Sequence, residues 1–276
     1  MTDLPDHAQT FGFHPRRYGA INGFGLWTLV VREVRRFMKV SVQTVFAPVV
    51  STLLFMAVFA IALGQDRASP LAGVSFVDFL APGLTMMAIL NNAFANTSSS
   101  LIVAKIQGNT VDFLMPPLSA AELNIGFLVG GLVRGLAVGV VSVVVIGVLG
   151  FADVGVANPA LVVYHAVMSS LILGAVGLLG GIWSEKFDHL AAVQNFVITP
   201  LVFLSGTFYA VALLPEPFHA LSLMNPLFYM IDGFRAGFVG VAEGNLAVGA
   251  VYVGVLAAVL CTASHMVLAS GYKLRN

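Results

Sequence analysis

Few side chains in this sequence are of a type and spacing that does chemistry, and the usual arrangements are missing. None of the four lysines, Lys39, Lys105, Lys186 and Lys273, follows a glycine, so there is no G-x-x-x-x-G-K-[ST] loop to cradle the phosphates of ATP. The histidines His7, His14, His165, His189, His219 and His265 include no i,i+4 pair of the kind that holds zinc on a helix. Ser205-Gly206 follows Phe203-Leu204 and is therefore not a G-x-S-x-G nucleophile elbow. These gaps argue against an enzyme, and no cofactor or metal is expected in the chain itself. What remains are polar residues set in apolar sequence. Asn91, Asn92, Asn96 and Ser99 share roughly one helical face, Arg134 stands alone, and Asp232 and Arg235 lie at i,i+3, where they can pair. The four on one face would either line a route or hydrogen-bond between helices.

The composition defines the elements that must carry these residues. Of 276 residues, 58% are apolar and 9% charged, and the mean hydropathy is +0.94. A soluble domain carries about 25% charged residues, so an ordinary soluble fold is excluded, as is disorder. One cysteine, Cys261, rules out a disulfide scaffold. Lys and Arg balance Asp and Glu at thirteen each, which implies no nucleic-acid partner. The chain is read as an all-α polytopic membrane protein.

Bilayer-length apolar runs, about 20 residues each, occur at Ser41–Leu63, Phe79–Val103, Ile125–Phe151, Pro159–Trp183, Leu190–Tyr209 and Leu246–Ser270. Six transmembrane helices follow. None carries an acidic residue near its middle, where proton or sodium coupling usually needs one. With the N-terminus inside, the inner segments hold Arg16, Arg17, Arg32, Arg35, Arg36, Lys39, Lys105, Lys186, Lys273 and Arg275, against Arg67 and Arg235 outside. The positive-inside rule then makes both termini cytoplasmic. The first 25 residues contain no apolar core, so no cleaved signal peptide is expected. Arg134, within the third span, is expected to snorkel, to protrude on an extended helix, or to meet an anionic substrate. Gly131, Gly135 and Gly139 form a small-xxx-small stripe for close helix packing.

Three segments outside the spans carry information. Residues 25–40 place Arg32, Arg35, Arg36 and Lys39 on one helical face and Leu26, Trp27, Val30, Val34, Phe37 and Met38 on the other, which predicts an interfacial amphipathic helix contacting membrane lipids. The same charges would also serve as a bare topology signal. In the loop after span two, Asn109 or Thr110 can cap a short helix whose Val111, Phe113, Leu114 and Met115 would be half exposed, before Pro116-Pro117 stops it. It is either a knob for a partner protein or a turn packed on its own bundle. Ser119 with Glu122 is a capping box opening the third span. Between spans five and six, about residues 210–243, Pro215, Pro217 and Pro226 forbid one continuous helix. Two short helices are expected instead, one from about Glu216 to Met224 and one opening at Asn225-Pro226, forming a re-entrant hairpin that dips in from outside. Phe218, Phe228, Tyr229, Phe234 and Phe238 suit the outer interface. The expected divisions are a cytoplasmic segment at 1–24, the interfacial helix at 25–40, the six-helix transmembrane domain at 41–270 and a cytoplasmic tail at 271–276.

This order of parts, with Leu204-Ser205-Gly206-Thr207-Phe208-Tyr209, Leu213-Leu214-Pro215 and the stretch from Asn225 to Arg235, resembles the ABC type-2 exporter permease family. The last stretch is similar to that family's N-P-L-x-Y-x-x-D-x-x-R pattern. Gln107-Gly108-Asn109-Thr110, Leu114 to Pro117 and Ser119…Glu122 look like its coupling-helix region, although the family often has Glu and G-T where this chain has Gln and G-N-T. The resemblance implies the permease subunit of an ATP-driven exporter in the bacterial inner membrane. It would dimerise with a second copy of itself and bind two copies of a cytoplasmic ABC ATPase that holds the ATP and magnesium. The coupling residues would then be Gly108, Thr110, Asp112, Phe113, Leu114, Pro116 and Pro117, with Pro215, Asn225, Pro226, Tyr229, Asp232 and Arg235 in the hairpin. The cargo would be an amphiphile: a lipid, a glycan or polysaccharide, or a drug-like molecule. A self-sufficient channel or secondary transporter, and a scaffold that recruits partners without moving anything, are the competing classes.

Overall fold

The computed structural model describes residues 21–63, 71 and 73–274. Most of the expected N-terminal segment, the connector at 64–67, and Arg16, Arg17, Arg67 and Arg275 of the charge tally lie outside the described residues. Every regular element among the described residues is helical. In chain order these are α1 (Gly23–Met38), α2 (Ala47–Leu63, preceded by a π-helical stretch Val42–Phe46), α3 (Phe76–Ile106), α4 (Val111–Leu114), α5 (Ala120–Val148), α6 (Pro159–Trp183), α7 (Phe187–Val193), α8 (Thr199–Phe203), α9 (Phe218–Met224), α10 (Pro226–Val239) and α11 (Leu246–Ser270). A second π-helical stretch, Gln194–Ile198, joins α7 to α8, and a 3-10 turn, Val211–Leu213, precedes α9.

Local sequence explains the boundaries. Asn158 precedes Pro159, and its Oδ1 accepts from the backbone N–H groups of Ala160 and Leu161, satisfying donors that the first turn of α6 leaves free. Asn245 does the same for α11. Ser119 and Glu122 form the reciprocal capping box that the S-x-x-E spacing predicts. Gly240 and Gly271 end α10 and α11 at φ of 76° and 70°, a conformation that costs glycine nothing.

Five helices are long and apolar enough to cross a bilayer: Val42–Phe59, Phe76–Ile106, Ala120–Val148, Pro159–Trp183 and Leu246–Ser270. The expected span Leu190–Tyr209 differs. Helix starts earlier, at Phe187, and stops at Phe203, leaving a shorter apolar helix. The reason is local: Gly206 turns at φ of 73°, the Ser205 and Thr207 hydroxyls donate to the Val202 carbonyl, and the Arg235 guanidinium donates to the Gly206 carbonyl. With those acceptors already taken, the chain has no reason to continue as helix through Tyr209.

α3 is the central, largely buried helix, with α5 and α6 packed against it. Small residues allow the approach. A Cβ on Gly131 would come within 3.0 Å of Thr97 and 3.2 Å of the Ala93 carbonyl, and one on Gly135 within 3.2 Å of the Ile89 carbonyl. Across the other face, Gly177 meets Thr97 and Phe94, and the Thr97 hydroxyl donates to the Gly174 carbonyl at 2.8 Å. Apolar burial alone drives little association in lipid, so close backbone contact and such interhelical hydrogen bonds hold the three helices together.

Candidate functional site

One end of the bundle gathers the start of α1, the loop after α3, the end of α6 and residues 271–274. The Asn22 backbone N–H donates to the Glu122 carboxylate, and the Asn22 side chain donates to the Pro117 carbonyl at 3.2 Å. Lys105 donates to the carbonyls of Ile182 and Ser184 at 2.5 and 2.8 Å, placing a cation on the carbonyl-rich end of α6. Lys273 bridges the Trp183 carbonyl and Glu185.

Within the loop, Gly108 turns the chain at φ of 71°. α4 follows as a single turn, Thr110 preceding it without a side-chain cap and Asp112 lying in the turn. Val111 and Met115 are 53% and 78% exposed and Leu114 is at the margin of exposure, followed by exposed Pro116 and Pro117. Phe113 departs from the half-exposed expectation: it is buried, edge-on to Phe127 of α5 with ring centroids 5.6 Å apart. One turn of helix therefore presents apolar side chains outward while an aromatic pin fixes it to the bundle.

α1 is amphipathic as its spacing predicts, but the cationic face is not uniform. Arg32, Arg35 and Lys39 are exposed, and Trp27 and Met38 lie open on other sides of the helix. Arg36 instead reaches into the bundle. It pairs with Glu33 at 3.1 Å and donates to the Asn96 carbonyl and side chain and to Ser99. Glu33 is fully buried, accepts from Ser100 at 2.8 Å, and lies against Gly130 as Leu29 lies against Gly126. Hydrophobic patterning hides Glu33. Its signal is that it is the single acid in a basic helix, three residues from Arg36.

The polar face of α3 is thus spent largely on interhelical bonds. Asn96 and Ser99 receive Arg36, and Asn92 receives Arg134 at 3.0 and 3.1 Å rather than that arginine snorkelling away. Asn91 accepts from Gln194 at 2.8 Å. Asn91, Asn92 and Ser99 still border clefts: one of about 510 Å³ against Phe187, Leu190 and Gln194, and a smaller one of about 160 Å³ that Asn91 and Asn92 share with Pro48, Thr52 and Phe55.

At the far end of α3 the segment between α8 and α11 is folded back on the bundle. α9 and α10 are the two short helices, with Asn225 capping α10 at Leu227 and donating to the Leu201 carbonyl, and Pro226 at the first helical position. Pro215 is exposed before α9. Asp232 and Arg235 do not pair. Asp232 accepts from the backbone N–H groups of Glu243 and Gly244, both at 2.9 Å, while Arg235 pairs with Glu243 at 3.3 Å. Residue 243 was out of reach of an i,i+3 argument. The buried Arg235 also lies 3.7 Å over the Phe79 ring and donates to the Phe79 and Gly206 carbonyls. Nor do the aromatics form an outer belt: Phe228, Phe234 and Phe238 are buried, because α10 packs its apolar face on α3 and α6. Tyr229, half-buried, meets Tyr252 edge-on, and Phe218 stays exposed.

Residues 25–239 match the ABC-2 type transporter family. The chain is 36% identical to the inner membrane transport permease YadH of Escherichia coli strain K12 over 218 residues, 79% of this chain and 84% of that protein. It is 24% identical to nodulation protein J of Sinorhizobium fredii over 241 residues, 84% and 89% of the two chains, and 25% identical to nodulation protein J of Bradyrhizobium diazoefficiens over 216 residues, 76% and 79%. Members of this family are non-catalytic membrane subunits that work with an ATPase subunit, and the chain belongs to the ABC-2 type transporter family of membrane permeases.

Proposed function

We propose that this chain is the permease half of an ATP-driven exporter in a bacterial inner membrane. Two copies assemble with two copies of a cytoplasmic ABC ATPase and move an amphiphile outward, a lipid, glycan or drug-like molecule. Both termini lie in the cytoplasm. Phe187–Phe203, about 25 Å long at the α-helical rise, serves as the fifth of six spans, within reach of a 30 Å hydrocarbon core by local thinning. The segment from about 210 to 243 is re-entrant from outside, a placement supported by the pairing of its buried polar groups Asn225, Asp232 and Arg235 with protein.

The observation that carries this reading is the division of labour in α4. Exposed Val111, Leu114 and Met115 form a small apolar knob, and Phe113 couples that knob to α5 through Phe127. A partner that grips the knob moves a transmembrane helix. The test is coexpression with an ABC ATPase. The chain alone hydrolyses no ATP and copurifies with the ATPase, and Leu114→Asp abolishes that association while the chain still inserts. Cargo flux through vesicles holding the chain alone, driven by a gradient without any ATPase, would falsify the reading in favour of a self-sufficient transporter.

A further inference from the structure

Arg134 lies about 21 Å along α5 and Asn92 about 24 Å along α3, each near the middle of its helix. An ionisable residue at that depth is costly and is usually neutralised by a partner or used. Here neutralisation is incomplete. The Nε and one terminal nitrogen of Arg134 both donate to a single neutral acceptor, Asn92 Oδ1, at 3.1 and 3.0 Å. Among the described residues its guanidinium forms no ion pair, whereas neighbouring Arg36 is matched by Glu33 at 3.1 Å. Asn92 is itself held: its Nδ2 donates to the Ala88 carbonyl at 2.9 Å, which turns the amide oxygen toward Arg134. The asparagine is a positioning residue that aims a forked cation and leaves its charge in place.

The surroundings match one chemistry. Asn91 and Asn92 border both clefts that flank α3. The smaller is walled by Pro48, Phe55, Leu84 and Met87, the larger by Phe94, Ala95, Phe187 and Leu190. Both walls are mainly apolar, and the helices that close them, α2 and α7–α8, each carry a π-helical stretch, a feature that often accompanies functional sites. Arg134 lines neither cleft itself but stands directly behind Asn92, which borders both, and an apolar slot whose polar edge is backed by an unneutralised guanidinium suits a molecule with a hydrocarbon tail and an oxyanion head, to which arginine offers two parallel donors.

We propose that Arg134, aimed by Asn92, receives the phosphate or carboxylate headgroup of the cargo, so that the transported amphiphile is anionic. The proposal deepens the exporter reading and rests on it for the word cargo, but the binding site is tested without transport. The full chain, purified without ATPase into nanodiscs of zwitterionic lipid, is titrated with radiolabelled dodecyl phosphate, dodecanoate and dodecyl maltoside, with empty nanodiscs subtracted. Dodecyl phosphate binds about ten-fold or more tighter than the maltoside, as one charge-assisted fork implies. Arg134→Gln erases that preference, Arg134→Lys retains part of it, and Asn92→Leu weakens it several-fold. Dodecanoate binding with the same dependence widens the headgroup class to carboxylates, and its absence narrows the class to phosphate. In the unsubstituted chain, dodecyl phosphate protects Arg134 from phenylglyoxal, read by peptide mass spectrometry, so the test survives a variant that fails to insert. Equal affinity for the charged and uncharged amphiphiles, or modification of Arg134 that dodecyl phosphate leaves unchanged, overturns the proposal. Failure to recruit an ATPase would instead strike the exporter reading and leave these binding results standing.

Discussion

Two Glu–Arg couples, each with a buried acid, lie toward opposite ends of α3, and they are built on different plans. Glu33 and Arg36 sit three residues apart on one helix, 3.1 Å from each other, and the arginine side chain is still 31% exposed. Arg235 and Glu243 come from α10 and the loop beyond it, 3.3 Å apart, with side chains 1% and 5% exposed. The first couple borrows acceptors from a single neighbour, α3. The second ties Phe79, Gly206, Val211 and Ala212 into one block, since Glu243 also accepts from the last two backbone N–H groups. A couple local in sequence can travel with its helix. One that joins α3, the stretch after α8 and the end of α10 holds them in place. The end carrying α1 and α4 is therefore a jointed end, and the end carrying α10 a closed one.

The largest effect is expected where the closed end is opened. Arg235→Met leaves Glu243 buried without its cation and should cost about 3–5 kcal/mol, the range for breaking a buried pair. Arg36→Met likewise leaves the buried Glu33 without its cation, but water can reach the site through the partly exposed position of Arg36, so it should cost less, about 2–3 kcal/mol. Thermal unfolding in detergent measures both. Equal losses would erase the distinction between the two ends. Next in size is the pin of the jointed end. Phe113→Ala should destabilise by about 3 kcal/mol, as large-to-small core changes do, whereas Leu114→Asp, at an exposed site, should stay within about 0.5 kcal/mol. If Leu114→Asp unfolds the chain, α4 is a core element and not a knob.

A smaller effect sharpens the joint itself. Ser119 donates to and accepts from Glu122 at the start of α5, and the same carboxylate receives the Asn22 N–H, so one residue caps a helix and anchors the beginning of α1. Ser119→Ala should cost about 1 kcal/mol, whereas Glu122→Gln, which weakens both contacts, should also raise hydrogen exchange at the first turn of α1. Exchange unchanged at that turn would mean that the α1 anchor is independent of the cap.

The same contrast explains what the sequence discloses. A bilayer imposes a length, so the limits of α6 and α11 can be read from hydropathy and from Asn158-Pro159 and Asn245. The fifth apolar helix ends early because Gly206 and a guanidinium from residue 235 intervene, and the acceptors that stop a helix are not visible in its own composition. Four-residue α4 contains too little periodicity to tell Phe113 from Leu114, although the segment is located by Gly108 and the two prolines. Asn91, Asn92, Asn96 and Ser99 do share a side of α3, and their partners Gln194, Arg134 and Arg36 lie 42 to 103 positions away, on helices whose rotation no local pattern sets. Arg235 misleads most. Its nearest acid in sequence, Asp232, is committed to backbone N–H groups, and only folding brings Glu243 to it.

The smallest expected effect concerns the tail at the jointed end, outside the spans. Lys273 donates to Glu185 at 2.8 Å. That hydrogen bond, and then the charge of Lys273, hold the Glu185 carboxyl below its ordinary 4.5, with His189 and Lys105 adding to the same direction. Reciprocally, the hydrogen bond to Glu185 raises Lys273 above its ordinary 10.5. A lowered acid contributes docking energy that is present above its unfolded value and lost as pH falls through the lowered one. A raised base contributes energy present below its unfolded value and lost as pH rises through the raised one. The contact thus persists across neutral pH and weakens at both extremes, more readily in salt because both groups face solvent. A spin label near residue 274 reports it as mobility. Mobility should rise as pH falls below the ordinary carboxyl value of 4.5 and again as it climbs above the ordinary lysine value of 10.5, and Glu185→Gln should remove the acid limb while leaving the Lys273 bond to the Trp183 carbonyl. A label equally mobile at every pH would mean that this ion pair does not hold the tail, and that the jointed end is held by α1 and α4 alone.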